Sequence, residues 1–563
     1  MTKASVKKDI NASADKVWQI IGDFEQVHHW VEDVAAIEIV GSGIGCLRKL
    51  HVDDHTMVEE QLLKLDDRNR IISYGSVNTE LPFEDYIATI EVHKLDITHC
   101  YVTWVSTFTP VGMTDEEAVK LLEENYSRYL ARAEQLAQQN ILRWLSNSET
   151  LFVNFDMPLL AFCQLQGKMT REIIHHAFKA LLVQYPVLDC LILGRKDNYF
   201  FVKRTNSNHI PIQLIEHVAS RAKRQTIIEE VLNSPLNREE ALFEVILLLP
   251  DTVQNITEKT EFELIIKFHH AIVDVHACVL LLKNLFTSCN LLIQDSTINS
   301  PKNPKIEVTP PIESYIPPDI KRLNKQDLLK ALQQTESAYN PKTLPIQSPN
   351  VPQSTLKCDV FVLELSKEQT ELIINHCKQN GATVQGALCA GHLLTIRKTI
   401  NDSKEQFMIA CRSVIDLRSL VNPPIDPQSV SATTTGFIGY YKVSPDDSFW
   451  DLAKEVVASI QENIQTNTVF KNLLIHKETI EKMDRPVAIT VSNAGRIDLP
   501  QSFGNLKLIN VNFNTSIFMP APHLVVTTME NKMSLNYLYT KPWLSTEQIR
   551  TLAKQSLDCI LSV

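Results

Sequence analysis

No CxxC pair occurs among the eleven cysteines of this 563-residue chain, and its histidines and cysteines show no metal-ligand spacing. A bound metal is therefore not expected. No P-loop, GxSxG or HExxH motif is present. No apolar run reaches 18 residues. The longest candidate, Ala271 to Phe286, is interrupted by Asp274, His276 and Lys283, so no transmembrane segment is expected. The opening MTKASVKKDINASADKVW is charged and lacks an apolar h-region, so it does not read as a signal peptide. No basic stripe with interleaved aromatics occurs, and the formal net charge is −11. Such a surface repels phosphate backbones, which argues against nucleic acid as a partner. The scattered cysteines, several of them inside apolar runs (Cys278, Cys389), are expected to be buried free thiols of a cytoplasmic protein.

What is present is ordinary in composition, 44% apolar and 21% charged, but too long for one hydrophobic core. Residues 1–140 read as one unit. A helix begins at Ala14 behind Ser13, six strand-like segments follow, and Thr114-x-x-Glu117 opens a long helix as a capping box. Ala118, Leu121, Leu122, Tyr129, Ala133 and Leu136 would form its apolar face. Residues 142–354 and 355–563 both alternate strands with helices and are similar in size, which suggests a pseudo-dimeric pair with a cleft between them. A proline-rich stretch from Ser296 to about Ser354, including Pro301, Pro304, Pro310, Pro311, Pro317 and Pro318, reads as a crossing connection with one helix in it.

In residues 1–140, the order of features resembles the START-like polyketide cyclase/dehydrase superfamily with its helix-grip fold. The features are the ADKVW helix, Gly43-Ile44-Gly45-Cys46-Leu47-Arg48, Glu60…Leu65-Asp66-Asp67…Ser73-Tyr74, and Trp104…Phe108-x-Pro110. The resemblance implies a cavity for a hydrophobic small molecule between sheet and helix. Arg48, Glu60, Tyr74, Tyr86 and Trp104 could line it, or could be ordinary sheet packing.

His269-His270-Ala271-Ile272-Val273-Asp274 falls where an apolar strand, FELIIKF, gives way to an apolar helix. A neutral imidazole suits the base of an acyl transfer, and a carboxylate four residues on can fix the loop that carries it. The pattern HHxxxD also occurs at His28-His29-Trp30-Val31-Glu32-Asp33. No buried strand precedes that copy, which reads as a loop with Trp30 packing on the sheet. His175-His176 has no carboxylate four residues on and reads as a helix-face pair.

Four further blocks accompany the second HHxxxD. They are Glu149 with Gly167-x-Met169-Thr170…Tyr185-Pro186-Val187-Leu188, then Gly381-Ala382-Thr383-Val384-Gln385-Gly386-Ala387, then Ile415-Asp416-Leu417-Arg418…Asn422-Pro423-Pro424…Gly436-Phe437-Ile438-Gly439-Tyr440, and Val491-Ser492-Asn493-Ala494-Gly495-Arg496. In this order they resemble condensation domains and the related alcohol acetyltransferase and phthiocerol-type acyltransferases, over 142–563. The fold class implied is mixed α/β and α+β: a helix-grip START-like domain followed by a two-lobed, pseudo-dimeric CoA-dependent-acyltransferase fold of the chloramphenicol acetyltransferase type.

The resemblance assigns His270 as base, His269 as its loop-orienting neighbour, and Asp274 with Arg418 as a structural ion pair. Asn493 and Gly495 would line the cleft near the acceptor. The residue after the motif Asp is usually Gly; here it is Val275, where the donor's thioester arm would pass. The plant signature DFGWG is absent, with only Ser502-Phe503-Gly504 nearby.

The function implied is transfer of an acyl group from acyl-CoA or a phosphopantetheinyl carrier protein to a hydroxyl or amine of a hydrophobic acceptor, without a permanently bound cofactor. Two alternatives stay open. One is a non-catalytic hydrophobic-ligand-binding protein. The other is a bifunctional polyketide cyclase and acyltransferase.

Overall fold

The computed structural model describes residues 1–563 apart from 35, 42, 53–55, 196–197, 206–208, 219, 296–304, 348–350, 401–404 and 476–485. Pro301 and Pro304 of the proline-rich stretch lie outside the described residues. The chain forms two compact units. The first holds Met1–Trp144 with Gly194–Lys203 and Pro317–Leu328; the second holds the remainder.

The first unit is an antiparallel sheet of seven strands around a long helix. Its strands are β1 (Thr2–Ile10), β2 (Ala36–Val40), β3 (Leu47–His51), β4 (Met57–Asp66), β5 (Ile71–Thr79), β6 (Phe83–Lys94) and β7 (Cys100–Pro110), in the order β1-β7-β6-β5-β4-β3-β2. Six of these coincide with the strands expected; β1 was not expected. It runs antiparallel to β7, from Thr2 opposite Phe108 to Ile10 opposite Cys100. Ala4 and Ile10 face inward, and the inward Lys8 is neutralised by Glu134 at 3.3 Å.

Helix α1 (Ala14–Ile21) starts at Ser13, whose side chain accepts from the Lys16 N–H. Helix α2 (Asp115–Gln138) starts with the Thr114/Glu117 capping box. Its buried face is Ala118, Leu122, Tyr126, Leu130, Ala133, Leu136 and Ala137. The expected face is thus rotated: Leu121 is exposed, and Tyr126 and Leu130 take the inward positions. The sheet spreads its contacts along the helix, so the inward residues recur nearly every fourth position and the stripe stays straight.

A fragment ending at residue 140 keeps all seven strands and both helices. It is expected to unfold in one cooperative transition; a gradual, non-cooperative loss of its circular dichroism signal on heating would show that this unit depends on later segments.

The second unit contains two six-stranded sheets. One has the order Ile212–Ile215, Phe243–Leu248, Glu261–His269, Pro158–Gln166, Leu506–Thr515, Ser502–Phe503. The other runs Lys357–Glu364, Lys532–Lys541, His523–Met529, Ile489–Arg496, Phe407–Asp416, Thr434–Val443. Equal sheets of this kind fit the expected pseudo-dimer, with one correction. Strand Leu506–Thr515 pairs antiparallel with Pro158–Gln166, so residues 502–515 leave the expected third segment and complete the sheet of the second. Its apolar positions Leu506, Leu508, Val511 and Phe513 are buried there.

Strand Glu261–His269 is flanked by Phe243–Leu248 and Pro158–Gln166, both antiparallel. Leu264, Ile265, Ile266 and Phe268 are almost wholly buried, each burial worth about 1.5–3 kcal/mol. Helix Val275–Gln294 follows the motif. Among the described residues it is the one helix with the length and composition for a membrane span. Ala277, Cys278, Leu281, Leu282, Leu285, Phe286 and Cys289 are buried within the protein, which makes it a core helix. All eleven cysteines are free and ten are buried, as expected.

Candidate active site

The second HHxxxD copy spans a turn between two buried elements. His269 is the last residue of its strand, opposite Pro158, and the His270 N–H donates to the Met157 carbonyl at 3.2 Å. Ala271, Ile272 and Val273 fill the interior of the turn. Asp274 is the N-cap of the next helix and accepts from the Ala277 N–H at 3.0 Å. The turn is thus held by burial from within and by a cap at its end.

Asp274 carries most of the polar load. Arg418 donates to it through both Nη atoms, at 2.7 and 2.8 Å. The Thr433 N–H and hydroxyl also donate, at 3.0 and 2.9 Å. None of these bonds goes to His270, so Asp274 orders the loop rather than the imidazole. Burial alone would raise its pKa, but Arg418 and the backbone donors of Ala277 and Thr433 hold it below the usual carboxylate range. Arg418 also meets Asp416 at 3.2 Å, and Asp416 lies 3.5 Å from His276. The expected Asp–Arg pair is therefore present as one link of a longer charged chain.

His270 stacks on Phe152, with ring centroids 4.3 Å apart and planes within 3°. Phe152 is delivered by helix Asn147–Asn154, which Ser146 and Glu149 open as a capping box. The Ser148 N–H of the same helix donates to Glu313 at 2.8 Å. Glu149, part of the first sequence block, is thus a helix cap here. The His270 Nδ1 is buried without a partner in hydrogen-bond geometry among the described residues. Burial lowers the His270 pKa, against the opposing pull of its own backbone, Asp274 and Val273. The ring is accordingly neutral at pH 7 and able to accept a proton. His269 is held at about 3 by burial, with His270 and Arg238 adding to it. Its Nδ1 accepts from the Ala271 N–H at 3.2 Å.

A cavity of about 250 Å³ opens onto His270. Leu151, Phe152, Phe155, Met157, Leu159 and Phe513 give it an apolar lining, and strands of the second sheet contribute further lining residues. His270, Asp274, Val275 and Asn493 line it. His269 and Arg418 do not; they brace the loop from behind. Gly495 is also not part of the lining. At φ +70° it takes a backbone conformation that favours glycine. Its N–H donates to Asn493 Oδ1 at 2.9 Å, where the pairing with His523–Met529 shifts register. Its part is to shape the bulge that presents Asn493.

Several lining residues carried no assigned role in the sequence: Phe152, His276, Arg412, Asp416, Thr490 and His523. Two carry a signal that could have marked them. Arg412 is the lone charge in FMIACRSVI, and Asp416 stands beside the Arg418 already singled out.

The first HHxxxD copy is built differently. Its two histidines end a short 3₁₀ helix, Phe24–His29, and Trp30 to Asp33 follow as the expected loop. His29 stacks on Trp144 at 3.6 Å, and Trp30 is buried against Trp104, as the expected packing on the sheet requires. Asp33 is taken by Arg128 and Tyr129 of α2.

The five residues proposed to line a cavity in the first unit converge inside it and pack on one another. Arg48 and Glu60 form a buried pair at 2.6 Å, and Arg48 lies over the Phe24 and Tyr74 rings. Tyr86 bonds Tyr126, which donates to Ser106, both at 2.7 Å. Trp104 stacks on Tyr126 at 4.2 Å. Burial pushes the Tyr74 and Tyr86 phenols well up and Tyr126 to about 12, so all three are neutral donors.

Comparison with known proteins places these features in context. The condensation-domain profile matches residues 124–412. The profile of the phthiocerol/phthiodiolone dimycocerosyl transferase C-terminus matches 356–541. That of polyketide cyclase/dehydrase and lipid transport proteins matches 1–138. A phthiocerol/phthiodiolone dimycocerosyl transferase of Mycobacterium tuberculosis is 22% identical over 337 residues, 59% of this chain and 75% of the relative.

Two solved structures share the fold. A trichothecene 15-O-acetyltransferase from Fusarium sporotrichioides has a TM-score of 0.62 at 13% identity, covering 75% of this chain and 95% of its own. Polyketide synthase associated protein 5 from Mycobacterium tuberculosis has a TM-score of 0.57 at 17% identity, covering 75% and 97%.

Proposed function

The chain belongs to the condensation-domain family, and from that premise we propose that it is an acyltransferase acting on a lipid-like acceptor. The acyl group comes from a thioester of CoA or of a phosphopantetheinyl carrier protein and passes to a hydroxyl or amine. The observation that carries this reading is a neutral, half-buried His270 at the wall of a largely apolar cavity, on a turn locked by Asp274 and Arg418. The name of the dimycocerosyl transferase relative supports a long apolar substrate.

In the reaction, His270 takes the proton of the attacking hydroxyl or amine and returns it to the leaving sulfur. His269 and Asp274 keep the turn in place. The N-terminal domain, matched by a lipid-transport profile, holds the acceptor or shapes its approach.

The test is release of free thiol from short and long acyl-CoA and acyl-carrier donors in the presence of a long-chain alcohol, with the ester followed by mass spectrometry. Thiol release with a matching ester supports the proposal. A bound apolar molecule in the purified protein, with no thiol released from any donor, would favour the non-catalytic binding reading.

Val275 refines the same test. It is the first residue of helix Val275–Gln294 and lines the cavity. A branched side chain there narrows the donor's path where glycine would leave it open. Val275→Gly is expected to change donor KM by about tenfold between short and long acyl chains, equivalent to about 1.4 kcal/mol, with acceptor KM unchanged. Identical donor profiles would place the donor path elsewhere.

A further inference from the structure

Among the residues that line the cavity, the second sheet contributes one polar row. Arg412 lies opposite Ile438 on one side and Thr490 on the other, and Thr490 lies opposite His523. Arg412, Thr490 and His523 all line the cavity that His270 lines. Side chains on neighbouring strands in register share a face, and the alternate residues Ile409, Cys411, Val491 and Leu524 are buried in the core on the other side. Three donors from three strands thus form one line across the sheet.

The row is sterically provided for. A Cβ on Gly436 would come within 3.2 Å of Arg412 Cδ, so the missing side chain leaves room for the arginine stem. His523 is held at about 3 by burial, with Arg412 and His270 both adding to the effect. It is therefore neutral near pH 7. A neutral imidazole still has one N–H to donate.

We propose that His523 is a further catalytic residue, which donates its N–H to the reacting carbonyl oxygen in the cavity that His270 also lines, with Thr490 and Arg412 completing an oxygen-binding row. The proposal rests on the acyl-transfer reading. In the first half of the reaction the acceptor oxygen or nitrogen forms its bond to the thioester carbon, and its proton passes to His270. The carbonyl electron pair moves onto the oxygen, which accepts the His523 hydrogen bond. In the second half that pair returns, the carbon–sulfur bond breaks, and sulfur leaves with its electron pair and takes the proton back from His270. Donors aimed at such an oxyanion contribute where charge develops, and so act on turnover more than on substrate binding.

Two substitutions of similar bulk separate the donor from the shape. His523→Leu fills the site without an N–H and is expected to lower kcat by about 10²–10³, with donor and acceptor KM within about threefold of wild type. His523→Asn keeps a side-chain N–H and is expected to recover at least a tenth of wild-type kcat. Equal losses in the two variants, a loss confined to KM, or an unchanged kcat in His523→Leu would overturn the proposal. A measurement on the intact protein guards against a variant that does not fold. With imidazole nitrogens labelled, a phosphonate analogue of the tetrahedral intermediate is expected to shift the imidazole N–H signals of both His270 and His523, each identified by its loss in the His270→Ala or His523→Leu variant. A His523 signal left unshifted would overturn the row. Failure of the wild type to release thiol from any donor would instead remove the acyl-transfer reading on which the row rests.

Discussion

His270→Ala is expected to lower acyl transfer by about 10² to 10⁴, the range for loss of a general base. The side chain is half-buried and stands on a turn whose backbone is fixed by Met157, Ala277 and Thr433, so its removal leaves the loop's own bonds intact. The loss should then appear in kcat with little change in melting temperature. His29→Ala supplies the internal control. It removes the same residue type from the same HHxxxD pattern, and from a stack on Trp144, but from a site whose carboxylate is bound to α2. It is expected to leave acyl transfer unchanged. Equal losses from the two substitutions would show that the wrong copy has been assigned.

The pH profile adds a second reading of the same residue. Burial depresses the His270 pKa below its ordinary value, and the base works only when neutral. Activity should therefore hold as pH falls through 6.5 and decline only below it. A limb of kcat/KM centred at or above 6.5 would contradict a desolvated base.

How much of this was legible in the sequence follows from which contacts are local. The motif turn was legible because an apolar strand, a polar motif and an apolar helix succeed one another without a gap. Helix α2 was legible from the Thr114/Glu117 box, although its face was read with Leu121 inward and Tyr126 left out. Strand β1 was hidden by Lys3, Lys7, Lys8 and Asp9, which read as solvated charge until β7 supplies a partner strand. Strand Leu506–Thr515 looked like part of the last segment; only pairing with Pro158–Gln166 moves it. The polar row is the extreme case. Arg412, Thr490 and His523 are brought side by side by sheet register alone, and register between distant strands has no local signature. Arg418 was found because it lies in a recognisable block, whereas Thr433, which makes two of the bonds to Asp274, lies in none.

Asp274→Ala is expected to destabilise the second unit by about 3–5 kcal/mol, the cost of leaving a buried charge without its partner. The residue is 2% exposed, and three kinds of bond are lost together: the bidentate pair with Arg418, the two donors of Thr433, and the cap on Ala277. Arg418→Met should cost at least as much. Asp274 then keeps only the neutral donors of Thr433 and Ala277, whereas Arg418 without Asp274 keeps the counter-charge of Asp416 at 3.2 Å and the Ser431 carbonyl at 3.2 Å. The two losses overlap in the shared pair, so the double variant is expected to fall short of their sum by about 0.5–3 kcal/mol.

The sign of the pH dependence is fixed by the same pair. A carboxyl held below its ordinary value contributes stability that is present above about 3.9, its unfolded pKa, and lost as pH falls through the lower, folded value. Arg418→Met should raise that folded value toward the unfolded one, so the variant should lose less stability in acid than the wild type. Equilibrium unfolding of the four proteins by denaturant at pH 7 and at about pH 3, below the unfolded value, measures both effects. Strictly additive losses at pH 7, or an acid limb that Arg418→Met leaves in place, would show that the guanidinium is not what holds Asp274, and with it the His270 turn, in position.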